Sequence, residues 1–106
     1  MTTLAPTRRS TELLSLIEQH RSELDSVLRR YGVTNVRLFG SVVRGEAEEH
    51  SDIDLLFTRP EGMRLFSIVG LGQELSDLLG VSVDAVPGSV IKQHLRSDLE
   101  RDAIPL

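Results

Sequence analysis

The stretch GSVVRGEAEEHSDIDLL, Gly40 to Leu56, places two aspartates, Asp52 and Asp54, inside a run of strand-forming residues. Aspartate is disfavoured in strands. Side chains alternate along a strand, so Asp52 and Asp54 project from one face while Ile53, Leu55 and Phe57 project from the other, toward a core. Burial of the apolar set fixes that register. A strand that carries two acids on its open face, just beyond a Gly-Ser turn, uses that face for chemistry.

Two carboxylates that close raise each other's proton affinity unless a cation sits between them, and hard oxygen ligands favour Mg²⁺ or Mn²⁺. Upstream, the segment VTNVRLFG reads as a first strand that gives way at Gly40 and Ser41 to a short helical turn. Free backbone N–H groups and a hydroxyl can grip a phosphate there, and glycine lets the backbone approach the anion. Arg44 follows one turn later, where a guanidinium could hold a second phosphate oxygen. Downstream, VSVDAVP reads as a third strand. If it pairs with the second, Asp84 joins the face of Asp52 and Asp54, and three carboxylates can hold two Mg²⁺ ions about 4 Å apart, as phosphoryl chemistry uses them.

The remaining chain supports this centre. Residues 1–9 read as a loose arm with a turn at Pro6, and residues 10–106 as a single domain. Ser10 or Thr11 caps one long helix to about Tyr31, with Leu13, Leu14, Ile17, Leu24, Val27 and Leu28 as its apolar stripe and Gly32 as its end. His20 falls at the edge of that stripe. Ser41 to Ser51 suits a short helical turn and a polar loop holding Glu48, Glu49 and His50. Met63 to Gly80 is the next helix, with Gly70 and Gly72 weakening its middle. Ser89 caps a last helix from Val90 to about Arg101, carrying His94, before the apolar tail Ala103 to Leu106. That tail suits either packing under the first helix or a docking element. The order implies an α+β fold, a small α/β sandwich in which helices flank a short sheet.

Composition narrows the function classes. The chain has 106 residues, 40% hydrophobic and 26% charged, with a formal net charge of -4 and Lys92 as its only lysine. That balance argues against gripping nucleic acid through its phosphates. There is no cysteine, so disulfides and thiolate metal sites are excluded. No apolar run reaches the roughly 20 residues of a membrane span, nor does the start resemble a signal peptide, so a cytoplasmic protein is expected.

Gly40-Ser41, ten intervening residues, Asp52-x-Asp54 and a later strand aspartate, Asp84, together resemble the signature of the polymerase-β-like nucleotidyltransferases. The fuller LFGSVVRGEAEEHSDIDLLF is most similar to the minimal nucleotidyltransferases, the MNT antitoxins that pair with HEPN-domain toxins. The resemblance implies a short mixed sheet flanked by helices and transfer of AMP from ATP to a hydroxyl, in these antitoxins a tyrosine of the HEPN ribonuclease toxin. By position it implies Asp52 and Asp54 as ligands of both metals and Asp84 as the ligand on the nucleophile side. Gly40 and Ser41 would bind the triphosphate, with Arg44 on a phosphate. A hetero-oligomer with the toxin is expected, with no direct nucleic acid or membrane partner. Two alternatives stand beside it: an antitoxin that neutralises by complex formation alone, and a transferase acting on a small molecule such as an aminoglycoside.

Overall fold

A computed structural model describes residues 5–90 and 103–106. The long helix expected from Ser10 to Tyr31 is two helices, α1 (Arg8–Gln19) and α2 (Arg21–Tyr31). The stripe itself contains the reason. Leu13 and Ile17 are buried on α1 and Leu24, Val27 and Leu28 on α2, but the positions one turn beyond Ile17 hold His20 and Arg21, which cannot continue an apolar stripe. His20 leaves helical geometry at φ -109° and ψ 19°. Its Nδ1 lies 3.0 Å from the Leu16 carbonyl oxygen, which also accepts the His20 backbone N–H at 3.2 Å. Arg21 donates to Glu18 and to the Leu106 carbonyl. At the other end, α1 begins ahead of the expected caps: Thr7 is the cap, its Oγ1 accepting the Ser10 N–H at 3.2 Å, while Ser10 itself is fully buried. Gly32 ends α2 in the left-handed region, with φ 74°.

After α2 come β1 (Thr34–Phe39), α3 (Ser41–Arg44), β2 (Ile53–Thr58), α4 (Leu65–Leu79) and β3 (Val83–Pro87). A short 3-10 turn, Gly88–Val90, follows β3, and Ile104–Pro105 form β4. The sheet order is β3-β2-β1-β4, with β2 and β3 parallel and the other pairs antiparallel. The fold is therefore a mixed α+β sheet with flanking helices, and α4 is the crossover that a parallel pair requires. The fourth strand was not expected. The apolar tail supplies it, pairing Ile104 with Leu38 and donating the Leu106 N–H to the Val36 carbonyl at 3.0 Å. Two residues are too few for a periodicity signal. The expected last helix, with His94, lies outside the described residues.

The core lies between the sheet and the helices. Ile53, Leu55 and Phe57 of β2 and Leu38 of β1 pack with the buried stripes of α1 and α2 and with Leu71, Leu75 and Leu79 of α4. Leu56, on the opposite face of β2, is also fully buried. Gly70 and Gly72 do not interrupt α4. A Cβ on Gly70 would sit 3.3 Å from the Tyr31 hydroxyl and one on Gly72 3.6 Å from the Val83 carbonyl oxygen, so the glycines let α4 lie close to α2 and β3. Arg30 of α2 pairs with Glu74 of α4 across the same contact. Among the described residues no helix is long and apolar enough to cross a membrane.

Candidate active site

β2 begins at Ile53, so Asp52 immediately precedes it and Asp54 is its second residue. Asp54 stands opposite Asp84 in the parallel pairing with β3 and opposite Phe39 in the antiparallel pairing with β1. Residues in register across neighbouring strands share a face. The condition set by the sequence, pairing of the second and third strands, is met, and Asp84 lies on the Asp54 face. Asp52 and Asp84 are exposed, whereas Asp54 is half-buried.

That difference in exposure has a chemical consequence. Burial pushes the Asp54 carboxyl up, the charges of Asp84 and Asp52 push it further, and Arg44 pulls it back, leaving a pKa of about 6. All three neighbours therefore lie within electrostatic reach of Asp54. Among the described residues no three His, Cys, Asp or Glu side chains stand close enough together, as they are, to hold a metal ion. The chemistry of the donor set still suits one: a half-buried carboxylate facing two like charges is relieved by a divalent cation, and every candidate donor is a hard oxygen. Asp52, Asp54 and Asp84 are the residues that could hold it.

Gly40 follows β1 with φ 84°, a backbone state that side chains with a Cβ rarely adopt. A Cβ built there would collide with Oδ2 of Asp54 and lie 3.2 Å from its carboxyl carbon. Sequence reasoning assigns this glycine to phosphate approach alone; its contact with Asp54 crosses between strands and has no local signal. Ser41 is the first residue of α3, and Arg44 its last. Arg44 is exposed, its Nε donating to Glu46 Oε2 at 3.1 Å, so the surface pair and the influence on Asp54 coexist. In the loop beyond, Glu48 and Ser51 close a turn, the Glu48 N–H donating to Ser51 Oγ at 2.7 Å, and His50 is exposed. The end of β1 and the starts of β2 and β3 thus bring Gly40, Ser41, Asp52, Asp54 and Asp84 to one end of the sheet, with Arg44 beside them.

A family model described as a nucleotidyltransferase domain matches residues 18–106. The chain is 37% identical over 93 residues to the protein adenylyltransferase MntA of Thermococcus cleftensis, covering 88% of this chain and 91% of that one. A solved structure assigned as a minimal nucleotidyltransferase superposes with a TM-score of 0.78 at 43% identity, covering 88% of this chain and 95% of the other. A solved toxin-antitoxin complex with AMP-PNP matches with a TM-score of 0.61 at 25% identity, over 70% of this chain and 61% of that one.

Proposed function

This chain belongs to the nucleotidyltransferase domain family, and from that premise we propose that it transfers AMP from ATP to a tyrosine hydroxyl of a HEPN-type toxin and so neutralises it. The observation that carries the reading is the pairing of Asp54 with Asp84 across β2 and β3, beside Asp52 and against Gly40. The identity of the Thermococcus relative as a protein adenylyltransferase and the AMP-PNP complex of the toxin-antitoxin neighbour support the donor and the class of partner.

In this reading Gly40 and Ser41 receive the triphosphate through backbone N–H groups and the serine hydroxyl, and Arg44 exchanges its surface partner Glu46 for a phosphate oxygen. Asp52, Asp54 and Asp84 would hold Mg²⁺, most simply as two ions, which when bound neutralises charge on the attacking and leaving oxygens. Asp84, exposed at the rim, faces the incoming hydroxyl and helps take its proton. The hydroxyl oxygen forms the new bond to the α-phosphorus, and the bond from that phosphorus to the bridging oxygen breaks. Pyrophosphate leaves with the electron pair. The exposed position of Asp52 and Asp84 suits an acceptor presented by another protein rather than one enclosed in a cleft.

The test is to incubate the chain with ATP, Mg²⁺ and the protein encoded beside it and to read both intact masses. Addition of AMP to the partner, lost when its acceptor tyrosine becomes phenylalanine, is the expected result. A tight complex that silences the partner with no change in mass would replace the reading by neutralisation through binding alone.

A further inference from the structure

We propose that residues Thr7–Ser10 form a latch that holds the nucleotide turn in place, with Thr7 and Ser10 as positioning residues for ATP. The inference rests on the reading of Gly40, Ser41 and Arg44 as the triphosphate seat. It starts from Ser10, a polar side chain with no exposed surface. A buried hydroxyl needs partners. Ser10 Oγ accepts the Ala47 N–H at 2.9 Å and lies 2.8 Å from Thr7 Oγ1. Thr7 Oγ1 donates to the Ala47 carbonyl at 2.5 Å. Its single proton is thereby used, so the Ser10 hydroxyl donates to Thr7. The directions of all these bonds are then fixed. The Thr7 N–H adds a further bond, to the Gly45 carbonyl at 2.9 Å.

Three backbone groups of the segment beyond α3 are thus tied to the start of α1. Between them, the Glu46 N–H donates to the Ser41 carbonyl at 2.8 Å, which carries the restraint into the first residue of α3. At its other end the same turn rests on Asp54 through Gly40. A helix of four residues has almost no stability of its own. Burial of Val42 seats it on the core, and these two attachments, one to β2 and one to the latch, complete its placement relative to the acids. Sequence reasoning treats residues 1–9 as a loose arm and Ser10 as a cap, because a bond spanning 37 residues leaves no local pattern.

The experiment compares Thr7→Val, Thr7→Ser and Ser10→Ala in the full chain, measuring Mg-ATP binding by calorimetry, Mg²⁺ binding alone, thermal midpoint, and amide hydrogen exchange at residues 44–47. Thr7→Val removes the hydroxyl at an exposed position and is the variant that keeps its fold most readily; Ser10→Ala tests the buried partner. Both are expected to weaken Mg-ATP binding roughly five- to tenfold, about the worth of one buried hydrogen bond, and to speed exchange at 44–47. Mg²⁺ binding is expected to hold, and Thr7→Ser to behave as wild type. Variants with a lowered thermal midpoint that bind Mg-ATP as wild type does would make the latch merely structural and overturn the proposal. A wild-type chain that binds no Mg-ATP at all would overturn the functional reading, and the latch with it.

Discussion

At the scale of single residues, Asp54 is where environment and chemistry conflict. The folded chain holds its proton up to a pH of about 6, whereas an unfolded aspartate titrates near 3.9. The folded state therefore binds more protons than the unfolded one between those values. The associated stability is complete below about pH 4 and is lost as pH rises through about 6. Asp54→Asn removes that dependence. In EDTA the thermal midpoint of wild type should fall relative to the variant between pH 4.5 and 7.5, and Mg²⁺ at pH 7.5 should raise the midpoint of wild type alone. Parallel curves would show that Asp54 is not strained by its neighbours. Transfer by the variant should drop by more than the roughly hundredfold typical of changes outside the metal's own ligands. Gly40 gives a second prediction. Gly40→Val meets both an unfavourable φ and the Asp54 carboxyl, so it should abolish stabilisation by Mg²⁺ as well as binding of Mg-ATP. Ser41→Ala should weaken only the nucleotide, because the backbone donors remain. Thermal shifts with Mg²⁺ alone and with Mg-ATP separate the two, and an intact Mg²⁺ response in Gly40→Val would show that Asp54 tolerates the added side chain. The convergence of Asp54 and Asp84 was legible in the sequence, since alternation along each strand needs only the pairing to complete it. The contact of Gly40 with Asp54 was not, because which residue a glycine faces across a sheet depends on register.

At the scale of elements, the helix over 65–79 was legible despite its glycines because Leu71, Leu75 and Leu79 recur at helical spacing. The break at His20 was masked because Leu24 falls seven residues after Ile17, still at helical spacing, and so bridges the polar gap at His20 and Arg21. What Gly70 does can be measured. Replacing a helical glycine by alanine ordinarily stabilises by about 1 kcal/mol, but here the new Cβ would press on the Tyr31 hydroxyl at 3.3 Å. Gly70→Ala alone should therefore gain little or lose stability. In a Tyr31→Phe background the obstruction is gone, and the same change should approach the full gain. Urea unfolding of the four proteins gives the coupling directly, with about 0.5 kcal/mol or more expected for residues in contact. Additive effects would mean that α4 shifts away from α2 without cost.

At the scale of the whole molecule, the acids occupy one end of the sheet while the tail closes its β1 edge, and these regions can be separated by mutation. Deleting Ala103 to Leu106 removes β4 and the Leu106 carbonyl that receives Arg21, and it leaves β1 as an unpaired edge. Each 1 kcal/mol lost should lower the thermal midpoint by roughly 4–8 °C in a domain of this size, so a clear drop is expected, with Mg-ATP binding by the folded fraction retained. An unchanged midpoint together with weakened partner binding would turn the tail into a docking element. The separation also bears on the partner. Asp52 is exposed and lies just outside β2, so Asp52→Asn takes away one negative charge without opening the core. Association between two folded surfaces depends on area, shape and charge across the whole contact, of which one rim carboxylate is a small share, whereas a metal-dependent transfer depends on that carboxylate directly. Asp52→Asn should therefore form the complex with its partner at near wild-type affinity and leave the partner's mass unchanged. Loss of the complex, read by gel filtration of the mixed proteins, would mean that modification itself drives association.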